Sequence, residues 1–539
     1  MAEGVFPWPS RRQWAWACLT IGLACVVELR EQLAAFTSVP DLGDPLFSMW
    51  RLAWVAHQLP LDPAHFFEGN IFHPAAHTVA YSDALVLPGL VASPAIWLGI
   101  PVAVVYTSLM VLSFGAAGLA MFALIRAVTN HTGGALIGSL IFAFDPYRFA
   151  QYSHLEMQVT FWMPLALLCL LRALSSGRRR DGLFVGVLLA LQALSGLYVA
   201  AYFAVSLAVF VLCWMCVVER PSRRVLDALG FAAAVAIVAA GLVAIPYWVG
   251  RSTIGERQTE EIQKFSAVAR DYLTPSHRSA TYGDPLAERD GEHDLFPGTV
   301  PLVLGAAALV PPVGPIVVPT LAALVLSVDG SRGFNGMVYR GLDRLPGFRG
   351  FRVPARFRAI AGFYLALLAG TSAARFAARL RRPWVARIAL GAIGLALLIE
   401  VFPRLDLKPI WTHVPGVYAR IPGGAVLADM PFATARDPYW HDPIYVYFST
   451  FHWHPITNGY SGFTPPWYAP LGVIAREFPS DQTLDAFRER GTEYFVLHEG
   501  FYHEDFARIV ADADAQPRLQ FVTKASWEEG ECRVYRLVR

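Results

Sequence analysis

The chain has 539 residues, of which 55% are hydrophobic and 16% charged, and its mean hydropathy is +0.42. This composition excludes an ordinary soluble globular protein and predicts an integral membrane protein with several spans. The formal net charge of +2 gives no basis for nucleic-acid binding, and the six cysteines do not form a pattern that predicts a disulfide framework.

Eleven apolar segments approach the ~20 residues that a membrane span needs. They are residues 13–29, 102–126, 134–148, 158–174, 183–198, 199–218, 228–248, 299–311, 314–328, 358–375 and 386–402. A further apolar stretch, residues 84–100, is interrupted by prolines, and we interpret it as a re-entrant or interfacial element. The basic clusters at 178–180, 219–224 and 375–387 then lie in the cytoplasm, as the positive-inside bias favours. This topology places the N-terminus inside and the C-terminus outside.

The long outer loop 30–83 contains the first long polar interval, residues 40–83, which begins with two aspartates three residues apart, Asp41 and Asp44. A carboxylate pair at a membrane surface can take a proton from an acceptor hydroxyl or bind a divalent metal. Capping of a helix that starts near Pro45 explains the same aspartates equally well. His73, later in the interval, joins the pair as a weak candidate ligand for Mg²⁺ or Mn²⁺.

A second group of charged residues follows the segment 134–148. Asp145, Arg148, His154 and Glu156 put acids, a base and a cation at the predicted membrane boundary. The alternative is that Asp145, because it precedes a proline, only ends a helix.

The loop from residue 250 to 298 is also rich in charge. Glu261, Glu292 and Asp294 are among its acids, and it contains three prolines in its second half. We predict a helix followed by an irregular loop, most of it a solvated face.

Residues 340–358 contain six arginines in nineteen positions. The predicted topology places this segment outside, against the positive-inside bias. A guanidinium group fits phosphate oxygens in a bidentate manner, so Arg349, Arg352, Arg356 and Arg358 are candidate phosphate ligands. The alternative is that two spans are miscounted and the segment is cytoplasmic.

After residue 402 the composition changes to that of a soluble domain. We therefore divide the chain into a membrane domain, residues 1–402, and a small extracytoplasmic α/β domain, residues 403–539. Strands are predicted at 425–430, 494–498, 518–522 and 533–537, and a helix at 484–490. The aromatic, Gly- and Asn-rich loop 445–466 is interpreted either as a carbohydrate-contact surface or as packing against the membrane domain.

The arrangement of a first span, a long outer loop that begins with acids, many further spans and a soluble outer C-terminal domain resembles the GT-C superfamily of glycosyltransferases. The segments Phe-Ala-Phe-Asp-Pro-Tyr-Arg at 142–148 and Phe-Arg-Val-Pro-Ala-Arg-Phe at 351–357 are similar to those of uncharacterised bacterial membrane proteins in that superfamily. Asp41, with Asp44 as a second candidate, matches a functional motif of the family. The family often has two adjacent acids where this chain has Asp-Leu-Gly-Asp.

The resemblance implies an inverting glycosyltransferase of the bacterial inner membrane that serves the cell envelope. Its donor would be a polyprenyl-phosphate-linked sugar, and its acceptor a glycan, lipid or protein on the outer face. Asp41, helped by Asp44, would be the general base, and the arginines of 349–358 would hold the carrier phosphate. Two alternatives are a non-catalytic membrane scaffold and a lipid or polysaccharide flippase or transporter, although the span centres carry almost none of the charge that transport requires.

Overall fold

A computed structural model describes residues 6–283, 291–432 and 440–538, without the side chains of residues 252–254. Its contacts divide the chain into two compact units. The first unit consists of residues 1–36, 107–244 and 256–407, and the second of residues 37–106, 245–255 and 408–539. Both units are therefore built from segments that are distant in the sequence. The predicted division into residues 1–402 and 403–539 stays a prediction.

The first unit is almost entirely helical. Two of its helices extend into the second unit, at residues 102–106 and 245–254. Its helices are Arg11–Glu28, Arg30–Ala34, Val102–Thr129, Thr132–Ala143, Pro146–Ala150, Leu155–Gln158, Trp162–Ser176, Arg179–Ser195, Leu197–Val217, Arg223–Ile254, Thr259–Lys264, Thr299–Ala307, Val317–Ser331, Val338–Leu342, Phe357–Arg379 and Pro383–Val401.

Each of the eleven predicted apolar segments overlaps one of these helices. Six stretches of the described chain are long and apolar enough to cross a membrane, which agrees with an integral membrane protein. They are Val102–Thr129, Leu155–Ser176, Leu197–Val217, Arg223–Arg251, Pro354–Arg379 and Pro383–Val401. The stretch 84–100, which prolines interrupt, forms the helix Val86–Trp97, which is shorter than these six stretches. The count of eleven crossings stays a prediction.

The helix Phe357–Arg379 forms the core of the first unit. This helix lies in the stretch Pro354–Arg379, and 94% of the most apolar 18-residue segment of that stretch is buried. It packs against Thr132–Ala143 at a very short separation, because a Cβ atom at Gly138 would lie 2.9 Å from the Ala366 carbonyl oxygen. Small residues on facing helices permit such close approach in membrane proteins. Two of the candidate arginines lie at the start of this helix, Arg356 as its N-cap residue and Arg358 in its first turn.

The second unit contains the helix Asp44–Leu61 and the α/β region. Asp44–Leu61 packs against two other helices, Val86–Trp97 and Asp442–His452. Its aromatic residues Trp50 and Trp54 are buried and stack on one another. The remaining helices are Tyr468–Ala475, Asp481–Arg488, Glu499–Tyr502 and Phe506–Ala515.

The described part of this unit contains six strands, which form two sheets. They are β1 (Ser38–Val39), β2 (Lys408–Pro409), β3 (Leu427–Met430), β4 (Tyr494–His498), β5 (Leu519–Trp527) and β6 (Gly530–Leu537). β1 and β2 pair with each other, and the other four follow the order β3-β4-β6-β5. β3 and β4 are parallel, with Leu427 opposite Tyr494, and the remaining pairs are antiparallel. The predicted strand at 494–498 matches β4, and the other three predicted strands overlap β3, β5 and β6.

Candidate active site

The acid pair lies at the entry to the helix Asp44–Leu61 in the second unit. The Gly43 N–H donates a hydrogen bond to Asp41 Oδ1 at 2.8 Å, and Asp44 is the first residue of the helix. Gly43 is the N-cap residue, so neither aspartate occupies the N-cap position that the capping interpretation requires. Both carboxylates are half-buried, so they are fixed by local structure and still in reach of solvent.

The residue that holds Asp44 comes from the aromatic loop of the α/β region. The Tyr460 hydroxyl donates a hydrogen bond to Asp44 Oδ1 at 3.1 Å. Its ring packs edge-on against Phe47, with the centroids 5.5 Å apart, and lies 5.8 Å from the ring of Trp440. Sequence reasoning identified the loop but missed this contact, because 416 positions separate the two residues.

In the first unit, Arg349 and Arg352, two of the four candidate phosphate ligands, form exposed or half-exposed ion pairs. Arg349 binds Asp343 in a bidentate manner at 3.1 Å. Arg352 donates to Glu261 at 3.0 Å, and its side chain is 34% exposed. Arg257 donates to the same oxygen of Glu261 at 2.9 Å, so the carboxylate is shared by two guanidinium groups. Burial and the neighbouring Arg352 lower the pKa of Arg257 to about 10.

The other two candidate ligands, Arg356 and Arg358, are buried and form ion pairs. Arg358 is 1% exposed and holds both oxygens of Asp145 at 2.9 and 3.0 Å. Arg356 donates twice to Glu292, at 2.7 and 3.0 Å. Burial alone would raise the pKa of Glu292, but the Arg356 guanidinium outweighs burial and holds this pKa below its ordinary value. The predicted arginine segment and the predicted cluster at Asp145 are thus joined in one buried network.

Asp145 has a second role at the backbone. The helix Thr132–Ala143 ends two residues before it, and Asp145 Oδ1 accepts the Tyr147 N–H at 2.9 Å as the N-cap of Pro146–Ala150. The interpretation that Asp145 marks a helix boundary is therefore confirmed. Because the same carboxylate binds Arg358, capping and ion pairing occur together.

The other members of the predicted cluster are also buried. Arg148 donates to the side chain and carbonyl of Gln158 at 3.2 and 2.8 Å and lies over the ring of Phe114. Glu156 is 5% exposed, and His154 precedes the short helix Leu155–Gln158.

The sequence analysis named the acids of the loop 250–298 but did not predict that two of them are buried. Glu292 and Asp294 are 5% and 1% exposed, so the expectation of a solvated face is wrong for them. Glu292 accepts from Arg356 and from Gln151, the latter at 3.1 Å, and Asp294 accepts from the His277 ring at 2.7 Å. The sequence contained an indication that these acids are buried, because two acids and a histidine directly precede the apolar pair Leu-Phe at 295–296.

The model of one protein family matches residues 52–322, just over half of the chain, and is described as a domain of unknown function, DUF6311. The chain belongs to the DUF6311 family. No curated protein matches its sequence.

Solved structures resemble the DUF6311 chain along nearly its whole length. The arabinofuranosyltransferase AftD from Mycobacteria aligns with 98% of it at a TM-score of 0.57 and 16% identity. The oligosaccharyltransferase AglB from Archaeoglobus fulgidus, solved with an inhibitory peptide and a dolichol-phosphate, aligns with 97% of it at a TM-score of 0.49 and 12% identity, over 74% of its own chain. The DUF6311 chain spans 42% of the length of AftD. The likeness to AftD confirms the GT-C fold that the sequence predicted.

The metal prediction concerned Asp41, Asp44 and His73. Among the residues that the structure of this DUF6311 protein describes, no three or more His, Cys, Asp or Glu side chains are grouped to hold a metal ion. His73 lies where a Cβ atom at Gly491 would be 3.2 Å from its Nε2.

Proposed function

We propose that this protein is a membrane glycosyltransferase that moves a sugar from a polyprenyl-phosphate donor to an acceptor hydroxyl on the outer face of the bacterial inner membrane. The observation that carries the proposal is the acid pair Asp41 and Asp44, fixed at the start of a helix in a chain with the GT-C fold. A carboxylate that is held in place and half-buried is suited to general-base work.

In the proposed reaction, Asp41 takes the proton of the acceptor hydroxyl. The acceptor oxygen attacks the anomeric carbon of the donor sugar, and a new glycosidic bond forms. The bond between the anomeric carbon and the phosphate oxygen breaks, and the electron pair leaves with the polyprenyl phosphate. Attack opposite the leaving group inverts the anomeric configuration. Asp44, next to Asp41 across Gly43, supports the base.

For the carrier phosphate we propose Arg352, together with Arg257, which the sequence analysis did not select. The side chains of Arg257, Glu261 and Arg352 together carry one net positive charge, because two guanidinium groups share one carboxylate. Two guanidinium groups on one carboxylate favour an anion nearby, and a guanidinium group fits phosphate oxygens in a bidentate manner. Arg356 and Arg358 form ion pairs with buried carboxylates. We therefore propose that these two arginines stabilise the local fold and do not bind the phosphate. Arg349, bound to Asp343, has the weakest case as a ligand.

The first prediction tests the base. Asp41→Asn keeps a side-chain oxygen for the Gly43 N–H but cannot accept a proton. We expect release of polyprenyl phosphate from synthetic polyprenyl-phosphate sugars to fall by ~100-fold or more, the usual size of a general-base contribution. The assay uses purified protein in nanodiscs, a panel of donor sugars, and cell-envelope extract as the source of acceptors.

The matched control is Asp62→Asn, which removes an exposed carboxylate just after the same helix that is paired only locally with His65. This variant is expected to keep full activity. A well-folded Asp41→Asn protein with near-normal release would remove the proposed base. Absence of release by the parent protein with every donor would favour the non-catalytic scaffold instead.

A further inference from the structure

Six exposed arginines of the first unit lie at or beside the ends of three helices and take no part in the proposed reaction. The helices are Arg11–Glu28, Phe357–Arg379 and Pro383–Val401. The six side chains are named the basic patch, and they are Arg11, Arg12, Arg379, Arg381, Arg382 and Arg387.

The three helix ends meet at a single turn of a fourth helix, the one that begins at Thr132. The Gln13 side-chain amide donates to Thr132 Oγ1 at 3.3 Å. A Cβ atom at Gly133 would lie 2.5 Å from Leu390 Cδ1, and one at the next glycine would lie 2.6 Å from the Ala374 backbone nitrogen. The helix ends that carry the arginines therefore converge, and the basic patch is one surface of the unit.

No acid offsets the charge of the basic patch. Residues 6–27, 122–135 and 372–399 contain no Asp or Glu, and no side chain that the structure describes forms an ion pair with any of the six arginines. Arg179 of the same unit differs, because it pairs with Asp227 at 2.6 Å. Guanidinium groups without acidic partners favour anions, and their planar fork fits phosphate oxygens.

Exposed apolar side chains follow the arginines along two of the three helices. They include Trp16, Leu19 and Leu23 on the first helix and Trp384, Ile388 and Leu395 on the last. Tryptophan is enriched where a membrane meets water, and aliphatic side chains face the hydrocarbon. The two helices thus present charge, tryptophan and aliphatic groups in the order in which a lipid presents its headgroup, interface and acyl chains.

We propose that the basic patch binds the phosphate groups of anionic phospholipids, with the acyl chains along the exposed apolar sides of these two helices. An arginine near an anionic lipid surface strengthens binding by roughly fivefold. The sequence analysis places residues 375–387 in the cytoplasm, and the cytoplasmic leaflet is the one that attracts basic segments. The inference concerns a lipid partner and does not depend on the proposed glycosyl transfer.

The second prediction is measured by photolabelling of the full-length protein in phosphatidylcholine nanodiscs. A trace of phosphatidylglycerol, or of phosphatidylcholine, carries a photoreactive diazirine in its acyl chain, and peptide mass spectrometry locates the labels. Labelling of Pro383–Val401 by the phosphatidylglycerol probe should exceed labelling by the phosphatidylcholine probe by about 25-fold, the product of two arginine contacts. Arg381→Gln with Arg382→Gln should reduce this preference by roughly 5- to 25-fold and leave labelling by phosphatidylcholine unchanged.

The matched control is Arg420→Gln with Arg536→Gln, which removes the same charge from two exposed arginines of the α/β region. Its labelling should equal that of the parent. Arg381→Lys with Arg382→Lys keeps the charge but loses the planar fork, so it should retain part of the preference. Because all four arginines are exposed, each variant should keep the melting temperature of the parent in phosphatidylcholine nanodiscs.

Three results would overturn the inference. Equal labelling of the parent by the two probes would leave the basic patch to an acidic protein partner. An unchanged preference in the folded Arg381→Gln, Arg382→Gln protein would place the lipid elsewhere. Loss of the preference in millimolar inorganic phosphate at constant ionic strength would identify a site for free phosphate. None of these results alters the outcome expected for Asp41→Asn, so the proposed function is tested separately.

Discussion

The arginines of residues 340–358 differ more in their surroundings than their spacing suggests. Arg358 is 1% exposed and fully paired, whereas the side chain of Arg352 is 34% exposed and shares its carboxylate with another arginine. The sequence predicted a cluster of phosphate ligands because the density of arginine is visible. It could not predict which guanidiniums are neutralised, since their partners, Asp145 and Glu261, lie 213 and 91 positions away.

The third prediction separates the binding arginine from the structural one. Arg352→Ala should weaken binding of farnesyl phosphate, a short carrier analogue, by roughly 10- to 100-fold, because a hydrogen bond to a charged group contributes about 1.5–3 kcal/mol. Arg352→Lys should recover only part of this, since lysine keeps the charge and loses the planar fork. Binding is measured on protein in nanodiscs.

Two further variants bracket that result. Arg340→Ala removes an exposed arginine of the same segment that donates to the Phe334 carbonyl and should bind as the parent does. Arg358→Ala leaves Asp145 buried without its partner and should destabilise the fold by about 3–5 kcal/mol, seen as a lower melting temperature. Parent-like binding by Arg352→Ala would move the phosphate site elsewhere.

At the scale of single elements, local pattern predicted most and partners least. The strand at 494–498 was predicted correctly because four consecutive apolar or aromatic residues precede His498 and Glu499, and β4 is buried along its length. The helix at 484–490 was displaced by a few residues to Asp481–Arg488, since Ser480 caps it by accepting the Thr483 N–H. A short stretch of sequence does not show which other element it packs against. The pairing of β3 with β4, which lie 67 positions apart, is an example.

The sheet contains an ion pair that gives a pH-dependent prediction. His498 on β4 lies between Asp429 on β3, with Nε2 2.9 Å from Oδ1, and Cys532 on β6, with Nδ1 3.4 Å from Sγ. Burial lowers the pKa of His498, but the neighbouring Cys532 and Asp429 outweigh burial and raise it to about 9. A histidine whose pKa is raised on folding stabilises the folded state fully below its unfolded pKa, near 6.5, and this stabilisation is lost as the pH rises through 9.

The fourth prediction follows from that sign. The free energy of local unfolding at β4, measured by hydrogen exchange of the full-length protein, should fall between pH 6.5 and 9.5. In Asp429→Asn the sheet should be less stable at neutral pH by about 3–5 kcal/mol, the usual loss when one partner of a buried pair is removed, and the dependence on pH should become shallower. His413→Ala, which removes an exposed pair with Glu528, is the control. An equal pH dependence in Asp429→Asn and the parent would contradict the ion pair.

At the scale of the whole molecule, the sequence predicted the class and the GT-C fold but not the grouping of segments. Residues 37–106 belong to the same compact unit as residues 408–539. Strand pairing of Ser38 with Pro409 is one contact that joins them. Composition changes visibly at residue 402, so a reading along the chain places a boundary there, whereas long-range contacts decide which segments fold together.

Two exposed residues, Arg180 and Asp481, test whether the number of crossings between them is odd or even. Seven of the eleven predicted segments lie between Arg180 and Asp481, whereas four of the six stretches that meet the length and apolarity of a span lie between them. An odd number of crossings puts the two residues on opposite sides of the membrane, and an even number puts them on the same side. We predict opposite sides, with Arg180 in the cytoplasm, because the basic cluster 178–180 favours that side.

The fifth prediction is measured with single cysteines. Arg180→Cys and Asp481→Cys are each placed at an exposed position, and a membrane-impermeant maleimide is added to intact spheroplasts. Asp481→Cys should label at once, and Arg180→Cys only after the membrane is permeabilised. The six native cysteines are followed by mass spectrometry in the same samples. Equal labelling of both sites before permeabilisation would reject the odd count. If Asp481→Cys instead requires permeabilisation, residues 408–539 are cytoplasmic, and transfer on the outer face loses the loop that holds Asp44.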